Sequence, residues 1–126
     1  MVPEQKAKVM SDLVAPFRAR ARLTREEYTV RFSHLWSAIA TRHSDTLDCK
    51  FLVNGRSVIV ALAHPGFVEF RQRAGRSLTD EEAAQIAGAY LREALEADRD
   101  SDSPLRFVPR EEVLRLARQL GLLSQV

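Results

Sequence analysis

The chain has 126 residues, 45% of them apolar and 29% charged, with a formal net charge of +2. That length fits one domain able to bury a self-sufficient core without disulfides or a structural metal. The composition excludes a disordered, collagen-like or disulfide-stapled chain, and so small a net charge does not by itself point to a polyanionic partner.

The charge is unevenly placed. Residues 1–63 carry ten basic and six acidic groups, and residues 64–126 carry nine and eleven, so the halves are +4 and −2. Cys49 is the single cysteine, which rules out an intrachain disulfide and a cysteine-cluster metal site. The segment Met1 to Lys6 is charged and is followed by no apolar run, so no signal peptide is expected. The longest uncharged stretch, 57–68, is too short and too broken by His64-Pro65-Gly66 to span a bilayer. A soluble cytoplasmic protein is the expectation.

In chain order, the first predicted element is a helix over about 3–15, with Pro3 at its start and Val9, Met10, Leu13 and Val14 on one face. Thr24 and Glu27 have capping-box spacing. Tyr28, Phe32, Leu35, Trp36 and Ile39 follow at helical offsets, predicting a helix over about 25–43 that organises the core.

Asn54-Gly55 then separates two apolar runs and predicts a β-hairpin over about 47–53 and 56–63. A two-residue turn makes paired residue numbers sum to 109. Leu47/Leu62, Cys49/Val60 and Phe51/Val58 then share an apolar face. The opposite face, with Asp48, Lys50, Leu52, Ser57, Ile59 and Ala61, is mixed and is expected not to be fully solvated. Because an isolated hairpin is marginal in water, a third strand or the hairpin of a second copy should extend or cover it.

Residues 65–74 read as a helix ending at Gly75, with a strand over 67–71 as the alternative. Thr79 and Glu82 form another capping box opening a helix over 80–97. Pro109, followed by Glu111 and Glu112, opens a last helix over 109–121.

The fold class expected is therefore α+β: one domain over 1–126, a hairpin packed against four to five helices, and residues 1–23 as a candidate helical arm. Trp36, Phe51, Val58, Val60, Ile86 and Tyr90 are the expected core.

Candidate chemistry is sparse. The hairpin register puts His64 opposite Asp45, half of a base-catalyst arrangement, but no Ser or Cys is placed as a nucleophile. Arg18, Arg20, Arg22 and Arg25 form the strongest basic cluster and are candidates for gripping nucleic-acid phosphates. Asp98, Asp100 and Asp102 match the start of an EF-hand calcium loop, but Ser103 replaces its Gly and Pro109 its bidentate Glu. No cofactor is implied. The function expected is a small non-catalytic interaction or regulatory module of bacterial type, a homodimer joined near the hairpin. Nucleic-acid binding through the arginines is the alternative, and a small enzyme using His64 with a carboxylate the second. No membrane partner is expected, and no small-molecule ligand can be named.

Overall fold

The computed structural model describes residues 13–38, 45–97 and 103–124. Four strands, β1 (Phe17–Arg20), β2 (Glu27–Ala38), β3 (Thr46–Val53) and β4 (Arg56–Ala63), form an antiparallel meander. Two helices, α1 (His64–Ala74) and α2 (Asp80–Glu96), then cross to β5 (Leu105–Val108), which pairs parallel with β4. A last helix, α3 (Arg110–Gln119), follows. The five strands lie in chain order in one mixed, curled sheet, a half-barrel.

This corrects the expected hairpin on four to five helices: among the described residues there are three helices and five strands. The helix expected over 25–43 is the main error, because residues 27–38 are β2. Tyr28, Val30 and Phe32 alternate along this strand and are buried. The register with β3 then shifts between Phe32 and His34. This bulge at Ser33 reverses the side-chain parity, so Leu35 returns to the core face and Trp36 falls on the other. A strand interrupted in this way places apolar residues at 28, 32 and 35, the spacing of a helical stripe. Thr24 caps no helix either. Its hydroxyl accepts from the Glu26 N–H (3.3 Å) in a turn where Arg25 has φ 66°.

The helix expected over 3–15 lies outside the described residues up to residue 12. Leu13, Val14 and Ala15 are not helical, and the following residues 17–20 form β1. The strand β5 was not expected. Its four residues alternate between exposed and buried, too short a signal to separate from the loop before Pro109.

Elsewhere the local chemistry explains the elements directly. Asn54 (φ 51°) and Gly55 (φ 83°) make the β3–β4 turn, where both residues take the left-handed conformation. Asn54 also ties that turn to β2: its N–H donates to the Thr29 carbonyl (2.9 Å) and its Oδ1 accepts from the Thr29 N–H (2.8 Å). The paired residues of β3 and β4 include Leu47/Leu62, Cys49/Val60 and Phe51/Val58. Thr79 and Glu82 form a reciprocal capping box on α2, and Arg76 grips the Glu82 carboxylate with both terminal nitrogens at 2.8 and 2.9 Å. α1 ends at Gly75, in the left-handed conformation.

The core lies between one face of the sheet and the helices. Val30, Cys49, Phe51, Val60, Leu62 and Val108 from the strands pack with Phe70, Ile86, Leu91, Val113 and Leu116 from the helices, all of them buried. Phe51 meets Phe32 edge to face, with ring centroids 5.4 Å apart.

Candidate functional site

Strand alternation assigns every second residue to the sheet face turned away from the helices. One row across that outer face is Trp36, Asp48, Ala61 and Phe107, paired in turn across β2, β3, β4 and β5. The next row is His34, Lys50, Ile59 and Leu105. Beyond it come Arg31, Leu52 and Ser57, and on the β1 side Arg18 beside Thr29 and Arg20 beside Glu27.

None of these side chains belongs to the hydrophobic core cluster, whose strand residues all come from the other face. Trp36, Leu105 and Phe107 are 37%, 59% and 54% exposed. Leu52 and Ile59 are half-buried, and Ala61 forms a buried floor beside Phe107, with Asp48 between it and Trp36. The result is an apolar patch on β4 and β5, set off from Trp36 on β2 by the charged pair Asp48 and Lys50 on β3. The Asp48 carboxylate accepts from the Thr46 hydroxyl (2.6 Å), and Lys50 stands two residues along the same strand. The His34 and Trp36 rings lie 5.1 Å apart.

This changes the status of Trp36, which was expected in the core and instead stands on the open face. The mixed face of Asp48, Lys50, Leu52, Ile59 and Ala61 was readable from the β3–β4 register. Trp36 was missed because the bulge hid its parity, and Leu105 and Phe107 because β5 is so short.

The basic cluster is dispersed. Arg18 and Arg20 project from the outer face of β1, but Arg20 is paired with Glu27, whose carboxyl it holds below the usual range. Arg22 and Arg25 sit in the β1–β2 turn, exposed. The face therefore gathers Arg18 with Arg31, a cation the sequence reading had not included.

His64 and Asp45 are neighbours through their backbones, the His64 N–H donating to the Asp45 carbonyl at 2.8 Å. The exposed imidazole stacks on Phe67, with centroids 6.4 Å apart. It borders an open cleft of about 270 Å³ with Pro65, Val68, Glu69, Gln72 and Arg110; Asp45 is not part of the lining. Glu69, the carboxylate of that cleft, is held by Arg73 (2.6 Å) and Arg110 (3.5 Å). Cys49 is buried in the core, and burial pushes its thiol from 9.0 up to about 12, so it is protonated and unreactive at neutral pH. A second open cleft, about 440 Å³, runs between Val14–Phe17 and α2 and carries Arg92 as its charged group. Neither cleft joins a base to a nucleophile.

The calcium candidates Asp98, Asp100 and Asp102 lie outside the described residues. Among the described residues no cluster of His, Cys, Asp and Glu could hold a metal ion, and no helix is long and apolar enough to cross a membrane. No protein-family model matches the chain, and no curated protein or solved structure matches it.

Proposed function

We propose that this protein is a non-catalytic interaction module whose working surface is the outer face of the five-stranded sheet. The observation that carries this reading is the exposure of Leu105 and Phe107 beside half-buried Ile59 and buried Ala61, with Trp36 across the charged pair of β3, on a face that contributes no residue to the core cluster. Exposed large apolar side chains grouped beside polar and charged groups are a usual mark of a binding surface. A partner gains more by covering the face than by adding a strand beside β1 or β5. Both edge strands have only four residues; β1 carries Arg18 and Arg20, and β5 is flanked by Pro104 and Pro109. Short, charged or proline-bounded edges resist strand addition.

The test is hydroxyl-radical footprinting of the full chain, with Leu23 as the reference. Leu23 is 84% exposed in the β1–β2 turn and should react at one rate throughout. Trp36, Leu105 and Phe107 should react freely in dilute pure protein. They should be protected in concentrated protein or in extracts of cells that make it. Free reaction under all three conditions overturns the reading.

A further inference from the structure

The outer face also carries a pattern that selects its occupant. We infer that it is covered by a second copy of this chain, related by a twofold axis that runs across the strands between the two central rows. The inference rests on the reading of that face as the working surface, and names the partner.

Rotation about such an axis lays each row of one copy over the other row of its partner. Asp48 then faces the partner's Lys50, and Lys50 faces the partner's Asp48. Trp36 meets the partner's His34, Ala61 the partner's Ile59, and Phe107 the partner's Leu105. These pairings follow from the register alone, because each pair shares a strand and stands two residues apart on the same face. An interface generated this way is self-complementary, as a twofold contact must be. It also places two ion pairs amid apolar contacts, which leaves neither charge desolvated alone.

The alternative twofold, running along the strands between β3 and β4, is less favourable. It sets Lys50 over the partner's Ile59 and Asp48 over the partner's Ala61, so both charges lose water without a counter-charge across the interface. The excess cations do not oppose the transverse arrangement. Arg31 lies one row further out, beside Leu52, and comes over the far end of the partner's β2 instead of over the partner's Arg31. Two charged strands of nucleic acid or an acidic peptide would satisfy Arg31 and Arg18, but would leave Asp48 facing a like charge at the centre of the face.

The size fits as well. At about 4.8 Å between strands and about 3.3 Å per residue, the two central rows on β2 to β5 and the rows flanking them cover an area on the order of 15 by 20 Å. That is about 300 Å² of projected area per partner, at the small end of specific interfaces, where micromolar or weaker dissociation is ordinary.

Sedimentation equilibrium of the full chain over a wide concentration range tests this, with a charge exchange as the control. The wild-type chain should form dimers. Asp48→Lys should weaken them at least tenfold, and so should Lys50→Asp, because each sets like charges against each other twice. The chain with both substitutions exchanges the charges and should recover most of the lost affinity. A loss of folding would not produce that recovery.

A wild-type chain that stays monomeric up to its highest soluble concentration overturns the second copy. If Trp36 and Phe107 are still protected in extracts, the outer face survives as the working surface with another partner. A dimer indifferent to all three variants places the contact elsewhere and overturns the proposal. Monomers that instead bind a single-stranded oligonucleotide, and lose it with Arg18→Ala and Arg31→Ala, overturn it in favour of nucleic acid.

Discussion

Substitutions at Phe32 and Trp36 separate a bulged strand from a helix more sharply than any other change. In a helix over 25–43 the two positions lie on one buried stripe. In β2 the bulge at Ser33 puts them on opposite faces of the sheet. Phe32 is 6% exposed and packs edge to face on Phe51, so Phe32→Ala removes a buried ring and should cost about 3–5 kcal/mol. Trp36 is 37% exposed and stands outside the core cluster, so Trp36→Thr, which keeps a strand-forming side chain, should cost no more than about 1–2 kcal/mol. The unfolding entropy of a chain this long is about 0.26 kcal/mol per kelvin, at about 2.1 cal/mol/K per residue. Phe32→Ala should therefore lower the Tm by about 12–20 °C and Trp36→Thr by about 4–8 °C. Calorimetry at low micromolar protein keeps assembly from adding to either value. If Trp36→Thr costs as much as Phe32→Ala, both residues are buried together and the parity reversal is wrong.

Two further substitutions probe the packing behind the sheet. A Cβ at Gly66 in α1 would stand 2.8 Å from Val113 Cβ and 2.9 Å from its Cγ1 in α3. Gly66→Ala should thus destabilise by about 1–3 kcal/mol in urea unfolding despite its better helix propensity, and a gain in stability would mean the two helices are not so close. Cys49 makes the alkaline limit of stability partly its own. Its thiol ionises near 9.0 when unfolded and only at about 12 when folded, so the stabilisation is complete below pH 9 and is lost as the pH rises from there towards 12. The wild type should lose up to about 1.4 kcal/mol per pH unit more than Cys49→Ala over that interval, and equal slopes would contradict the burial.

What was legible in the sequence followed local stereochemistry. Asn54-Gly55 demands two left-handed residues and so sets the register of β3 on β4, and the Thr79–Glu82 box and Gly75 mark helix ends through backbone groups a few residues away. What was not legible depended on distant pairing. The bulge at Ser33 is decided by how β2 meets β3, and without it the apolar positions of 28–36 carry a helical period. Leu105–Val108 forms a strand because the crossover through α1 and α2 delivers it to the free side of β4, where Val108 pairs with Leu62. The candidate site divides the same way. Asp48, Lys50, Ile59 and Ala61 share a face by local register, whereas Trp36, Leu105 and Phe107 reach it through the bulge and the crossover.

The most direct test of the account is the radical reactivity of Trp36, Leu105 and Phe107 as the concentration of the full chain rises. All three should become protected together across the dimerisation range while Leu23 keeps its rate. Constant reactivity at those three positions in a chain that dimerises would contradict the central claim, because the contact would then lie away from the outer face.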